Sequence, residues 1–133
     1  MENGRYAVSI KGAVFVEQDR VILLLNDRNE WELPGGRIEP GETPAECVAR
    51  EFKEELDIAI TPDVLLDTYL FEVIPQRHVF VVTYGCRLAG ALSLTISEEH
   101  LQADTFDINA LPAALPAGYR HSILAWHARC SRH

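Results

Sequence analysis

The stretch at residues 36–58 constrains the fold more than any other part of the sequence. It reads GRIEPGETPAECVAREFKEELDI. Thr43, Pro44 and Glu46 form a helix-start signal, because a threonine cap, a proline at the first helical position and a glutamate three residues after the cap together stabilise a helix N-terminus. The apolar spacing that follows predicts a helix over Pro44–Leu56.

The predicted helix is apolar on one side and acidic on another. Glu51, Glu54 and Glu55 recur at helical spacing, so their side chains fall together. Like charges at this spacing weaken an isolated helix by roughly 0.2–0.5 kcal/mol per pair. Hard divalent cations such as Mg²⁺ or Mn²⁺ prefer oxygen ligands of this type, and the pattern predicts a metal site. The alternative is an ordinary solvated face. The apolar side consists of Ala45, Val48, Ala49, Phe52 and Leu56.

The same stretch resembles the Nudix box, whose family pattern is G-x5-E-x7-R-E-U-x-E-E-x-G-U, where U is a bulky apolar residue. One fixed position differs, since Asp57 replaces the last glycine. That position follows the helix, where a left-handed backbone is common, and aspartate tolerates that conformation at a cost of about 1 kcal/mol. The W-E-L-P-G-G sequence at 31–36 is also similar to the family. The matching positions are Gly36, Glu42, Arg50, Glu51, Phe52, Glu54, Glu55 and Ile58.

The resemblance implies an α/β fold, specifically a Nudix-type α/β/α sandwich with a mixed β-sheet, in one domain over residues 1–133. The residues themselves favour a mixed sheet covered on both faces, because predicted strands flank the central helix and a second helix follows Pro116. A turn is expected at Pro34–Gly36 and another at Thr61 and Pro62. Strands are expected over 5–16, 21–25, 31–33, 58–60, 64–73, 78–88, 92–96 and 105–108.

The resemblance also implies a metal-dependent hydrolase. The implied ligands of Mg²⁺ or Mn²⁺ are Glu51, Glu54 and Glu55, assisted by a backbone carbonyl at Gly35 or Gly36, where the main chain can approach a cation closely. Such a metal neutralises phosphoryl oxygens and lowers the pKa of bound water. The implied reaction is hydrolysis of a diphosphate linkage in a nucleoside diphosphate joined to another group. A nucleoside triphosphate, ADP-ribose and a dinucleoside polyphosphate all remain candidates.

The residues that position groups and transfer protons are less determined by the pattern. Arg50 and Glu42 are expected to form an orienting ion pair, because a planar guanidinium holds a carboxylate in a fixed geometry. The general base is Glu54 or Glu55 of the box or, as in some family members, a glutamate of a late loop. Glu98, or its neighbour Glu99, is the candidate in such a loop, and an ordinary solvated turn is the alternative there.

Composition limits the partners and the compartment. The formal net charge of −8 argues against nonspecific binding to nucleic acid polymers or anionic membranes. A small nucleotide substrate remains compatible, because a bound metal inverts the local field. Cys47, Cys86 and Cys130 suit neither a disulfide framework nor a zinc site and are expected to be reduced thiols. With a polar N-terminus and no apolar run of about 20 residues, a cytoplasmic protein is expected.

Two questions stay open at this level. A catalytically silent Nudix-like module that binds nucleotides is the alternative function, although such a module should lack one of the metal glutamates and this chain lacks none. Homodimers are common in the family, and nothing in the sequence decides between a monomer and a homodimer.

Aromatic residues are candidates for stacking on a nucleobase, but most are expected in the core. These are Trp31, Tyr69, Phe71, Phe80 and Tyr84.

Overall fold

The computed structural model describes residues 4–90 and 102–131. Within them a mixed β-sheet separates two helices, each with its own hydrophobic cluster, and this confirms the expected α/β sandwich. The expected strand at 92–96 lies outside the described residues. The elements are β1 (Ala7–Val16), β2 (Arg20–Leu25), β3 (Trp31–Glu32), β4 (Gly35–Arg37), α1 (Pro44–Leu56), β5 (Ile60–Ile74), β6 (Arg77–Leu88), β7 (Gln102–Asp107) and α2 (Ala117–Cys130).

The main sheet has the strand order β3-β2-β1-β6-β5. Two further strands lie off this path, since β4 pairs with β1 and β7 pairs with β2. β1 and β6 run parallel, whereas β1–β2, β2–β3 and β5–β6 are antiparallel. The short strand β4 pairs antiparallel with β1, so that Gly35 faces Lys11 and Gly36 faces Ile10. β7 pairs with β2, which confirms the expected edge strand near residue 105.

Helix α1 begins and ends where the sequence predicts. The Thr43 side chain accepts a hydrogen bond from the backbone N–H of Glu46, whose side chain accepts one from the backbone N–H of Thr43. This reciprocal pairing satisfies two N–H groups that the first turn would otherwise leave without partners. At the other end Asp57 is left-handed, with φ 56° and ψ 39°, as expected for the residue that replaces glycine.

The two faces of the sheet bury different clusters. Val48, Phe52 and Leu56 of α1 pack on one face, and the packing is close enough that a Cβ at Gly12 would lie 2.7 Å from the Phe52 ring. On the other face α2 buries an apolar side against residues of β1 and β6. Its members are Tyr119, Ile123 and Trp126, with Cys130 partly buried beside them.

Two predicted turns are wrong, and long-range pairing explains both. Thr61 and Pro62 lie within the continuous strand β5, where they pair with β6. β5 is an edge strand in the sheet order, and a register shift next to Pro62 accommodates a residue that cannot donate a hydrogen bond. Gly35 and Gly36 form strand β4 instead of a turn. Local turn signals do not reveal such distant partners.

The described cysteines and helices agree with two simpler expectations. Cys47, Cys86 and Cys130 are free thiols, and the first two are buried. Burial raises the pKa of both Cys47 and Cys86 to about 12, so they stay protonated at neutral pH. Among residues 4–90 and 102–131, neither helix has the length and apolar character required to cross a bilayer.

Candidate active site

The acidic side of α1 lies against strand β4. Glu55 is buried, with 5% of its surface exposed, and its Oε1 accepts a hydrogen bond of 3.0 Å from the backbone N–H of Gly35. A buried carboxylate needs such a partner, because an unsatisfied one would carry a large desolvation cost. The contact therefore ties Glu55 to the glycine that directly precedes the box.

Gly36 makes room for a second carboxylate. A Cβ at this position would lie 2.6 Å from the carboxylate carbon of Glu51, so no residue with a side chain fits there without displacing Glu51. The carbonyl oxygen of Gly36 accepts a weak hydrogen bond from Cys47 Sγ at 3.6 Å, one helical turn before Glu51. The Gly36 carbonyl and the Glu51 carboxylate thus lie along the same edge of α1.

Arg50 connects the acidic groups of the box. Its Nε and Nη2 donate to the two carboxylate oxygens of Glu42, which is the bidentate ion pair expected from the sequence. Its Nη1 donates to Glu51 Oε1 at 3.1 Å and to Glu54 Oε1 at 3.0 Å. Its Nη2 also donates to the backbone carbonyl of Arg37. The carboxylates of Glu51 and Glu54 therefore both accept hydrogen bonds from one nitrogen of Arg50, Nη1.

These contacts set the charge state of the pair. The hydrogen bonds from Arg50 hold the pKa of Glu42 at about 2, well below its usual value. The hydrogen bond to Glu42 in turn raises the pKa of Arg50. Both groups are fully charged near neutral pH, so the ion pair persists across the physiological range.

The side chains of Glu51, Glu54 and Glu55 differ in how far they are exposed to solvent. The side chain of Glu54 is 59% exposed, whereas that of Glu51 is 14% exposed. Across the described ranges, no three histidine, cysteine, aspartate or glutamate side chains are close enough together to hold a metal ion. Glu51 and Glu54 are instead paired with Arg50, and Glu55 with Gly35. Only the exposed Glu54 can change its position without disturbing buried contacts.

The residues nevertheless fit a hard divalent cation in their chemistry. All three side chains offer carboxylate oxygens, and the backbone carbonyl of Gly36 adds a neutral oxygen donor at the same edge, which is the ligand type that Mg²⁺ and Mn²⁺ prefer. The glycine at 36 keeps the space beside Glu51 free of a side chain. Glu98, the late-loop candidate, lies outside the described residues.

Lys11 is a charged group near the site that the sequence interpretation did not include. Its side chain is 8% exposed and its Nζ lies 3.9 Å from Glu32 Oε2. Burial works against this charge, but Tyr119 and the carboxylates of Glu32, Glu55 and Glu51 raise the pKa of Lys11 above its usual value. The one sequence signal was a lysine inside the otherwise apolar run of β1.

The five aromatic candidates occupy three different places in the fold. Trp31 and Phe71 line a cleft between β3, β5 and the start of α2, together with Tyr119. Tyr69 packs in the cluster on the α2 face, and its buried hydroxyl has no hydrogen-bond partner among the described residues. The other two candidates, Phe80 and Tyr84, pack against the α1 cluster, in agreement with the expectation that most of these rings belong to the core.

The sequence is similar to a known protein family and to several of its characterised members. A family model described as the NUDIX domain matches residues 5–126. The chain is 38% identical over 120 residues to the human 8-oxo-dGDP phosphatase NUDT18, covering 84% of this chain and 35% of that protein. It is 34% identical over 112 residues to the ADP-ribose pyrophosphatase of Methanocaldococcus jannaschii, covering 80% and 64%. This chain thus spans about one third to two thirds of the length of these curated relatives.

The solved structures support the same architecture. The MutT protein from Methanosarcina mazei Go1 superposes with a TM-score of 0.80 and 23% sequence identity, and the match covers 100% of both chains. At this level of identity the similarity establishes the fold.

Proposed function

The chain belongs to the Nudix family, and from that membership we propose that it is a hydrolase that cleaves a diphosphate linkage in a nucleoside diphosphate joined to another group. The observation that carries the proposal is the arrangement of Glu51, Glu54 and Glu55 on one side of α1, next to the glycine strand β4. The names of the two curated relatives, an 8-oxo-dGDP phosphatase and an ADP-ribose pyrophosphatase, support the same substrate class.

We assign the metal to this edge. Glu51, Glu54, Glu55 and the Gly36 carbonyl would hold Mg²⁺ or Mn²⁺. When bound, such a cation neutralises the charge of the diphosphate and makes water more acidic. Before it binds, Arg50 provides the positive charge that keeps Glu51 and Glu54 together, despite the repulsion between them.

The remaining residues of the box have positioning roles in this proposal. Glu42 fixes the guanidinium of Arg50 through two hydrogen bonds, and Arg50 thereby orients two carboxylates. The Oε1 of Glu55 is engaged by the backbone N–H of Gly35. Of the two candidates in the box, Glu54 is better placed than Glu55 to act as general base. Its carboxylate is exposed, whereas Glu55 is buried, and it can accept a proton from water with little rearrangement. Glu98 is the second candidate.

A substrate panel tests the proposal. The protein is incubated with Mg²⁺ or Mn²⁺ and with nucleoside di- and triphosphates, ADP-ribose and a dinucleoside polyphosphate, and released phosphate, pyrophosphate and nucleoside monophosphate are quantified. We expect turnover of at least one compound, with loss of turnover on addition of EDTA and recovery on adding excess Mg²⁺. Binding without turnover of any compound would instead identify a catalytically silent nucleotide-binding module.

A further inference from the structure

A cleft opens on the α2 face of the sheet beside strand β3, which precedes β4 and α1 in the chain. It has about 370 Å³ of free space, including the part open to solvent. Glu32 lies on its wall and precedes Gly35 by three residues, so the chain between them spans at most about 11 Å. The cleft wall at Glu32 therefore lies within about 11 Å of β4, whose glycines contact Glu51 and Glu55 of α1.

The walls of the cleft are suited to a flat ring. Trp31, Phe71 and Tyr119 all line it. The Trp31 ring packs edge-on against Phe106 with the centroids 4.7 Å apart, and Phe71 lies 6.0 Å from Tyr119. Aromatic rings braced in this way offer a rigid apolar surface on which a planar heterocycle can pack.

Glu32 is one of the hydrogen-bond acceptors that line this cleft, and two neighbours hold its carboxylate in place. Its carboxylate lies 3.9 Å from the ammonium of Lys11 and accepts a hydrogen bond of 3.4 Å from Asn26 Nδ2. The side chains of Lys11 and Glu32 are 8% and 19% exposed. Lys11 also lies 5.9 Å from the centre of the Tyr119 ring. The ammonium of Lys11 is therefore a buried cation behind the Glu32 carboxylate.

The charge of Glu32 limits which rings bind well. An ionised carboxylate only accepts hydrogen bonds, so a ligand must present N–H or O–H donors to it. Guanine carries two neighbouring donors, its ring N1–H and its exocyclic amine, and these match the two oxygens of a carboxylate. Adenine carries an unprotonated ring nitrogen beside its amine, which would bring a lone pair against the negative charge.

We propose that Glu32, positioned by Lys11 and Asn26, selects a guanine-type base in the substrate. This inference rests on the proposed hydrolase function and deepens it by naming the base. Glu32 thus determines specificity, while the glutamates of α1 act on the diphosphate.

Binding measured without metal tests the inference separately from catalysis. Calorimetric titrations of the full chain in EDTA compare GMP, IMP and AMP. IMP keeps the ring N–H and lacks the amine, so it removes a single donor. We expect affinity to fall about ten-fold from GMP to IMP and about ten-fold again to AMP, the usual effect of losing one well-placed hydrogen bond. AMP binding as tightly as GMP, or no binding of any of the three at millimolar concentration, would overturn the inference.

A variant identifies the residue responsible. Glu32→Gln replaces one acceptor by a donor, and we expect it to bind GMP at least ten-fold more weakly and to lose the preference for GMP over AMP. Glu72→Gln is the matched control, because Glu72 is an exposed residue that alternates with Phe71 and Val73 and points away from the cleft. An unchanged preference in Glu32→Gln contradicts the inference, and the wild-type series still decides if that variant does not fold.

Failure of the inference and failure of the function give different results. Hydrolysis with equal rates on guanine and adenine nucleotides leaves the hydrolase proposal standing and removes the role of Glu32. Preferential binding of GMP with no hydrolysis of any nucleotide supports the role of Glu32 and removes the hydrolase proposal.

Discussion

The two neighbouring glycines of β4 should respond to the same substitution in opposite ways. At Gly36, a Cβ would lie 2.6 Å from the Glu51 carboxylate carbon. An unstrained contact between carbons is about 3.5 Å, so the carboxylate must move by roughly 0.9 Å in Gly36→Ala. The group that moves is the end of a flexible side chain, and the cost to folding should stay below about 1 kcal/mol.

The cost to activity should be much larger. A displacement of about 1 Å at a reacting centre can lower a rate about 100-fold. We expect kcat/KM of Gly36→Ala to fall by about 10- to 100-fold, with a weaker dependence on added Mg²⁺ and a melting temperature close to that of the wild type. The assay is hydrolysis of the best substrate of the panel over a series of Mg²⁺ concentrations, together with a thermal melt.

Gly35→Ala should instead destabilise the folded protein by disrupting strand β4. A Cβ there would lie 2.0 Å from the backbone carbonyl oxygen of Ile10, and the residue has φ +143°, which side chains disfavour. Relief requires β4 to separate from β1, with loss of the buried hydrogen bond to Glu55. We expect a loss of about 3 kcal/mol or more in the free energy of unfolding, measured by urea denaturation.

Gly90→Ala is the matched control for both variants. Among the residues that the structure describes, none lies within 4 Å of the Cβ that it would add, and its backbone is not in the left-handed region. It should match the wild type in stability and in activity. Full activity in Gly36→Ala would refute the placement of Glu51 against this glycine, and a stable Gly35→Ala would refute the close pairing of β4 with β1.

Four further predictions follow from individual contacts and from burial. Glu54→Gln should lower kcat at least 100-fold while leaving the melting temperature unchanged, because the carboxylate is exposed and the amide keeps its size; near wild-type turnover would remove Glu54 from the site. Thr43→Ala should cost about 1 kcal/mol in urea denaturation through loss of the capping box, and an unchanged stability would contradict that role. A disulfide reagent at pH 8 should modify Cys130 well before Cys47 and Cys86, as followed by peptide mass spectrometry, since burial raises the pKa of both inner thiols to about 12; equal rates would contradict this. The stability that the protonated Cys86 contributes should be complete below pH 9.0 and be lost as the pH rises towards about 12, because the unfolded thiol ionises first.

The sequence alone determined the helix of the box and the family. The cap at Thr43, the apolar repeat and the acidic repeat are all interactions between residues three or four positions apart, and α1 therefore has the predicted bounds. The pairing of Arg50 with Glu42 could also be predicted from the sequence, because both positions belong to one short motif whose residues match the family in register.

Only the tertiary structure decided which distant residues meet. Gly35 and Gly36 read locally as a turn, yet pairing with β1 makes them a strand, and the same holds for Thr61 and Pro62 beside β6. Glu55 binds the N–H of Gly35, twenty positions away, because α1 packs on that strand. The buried Lys11 and the partly buried Glu32 meet because strand pairing sets Gly35, three residues after Glu32, opposite Lys11. Hydrogen bonding between strands and the desolvation of charges depend on partners that local spacing does not specify.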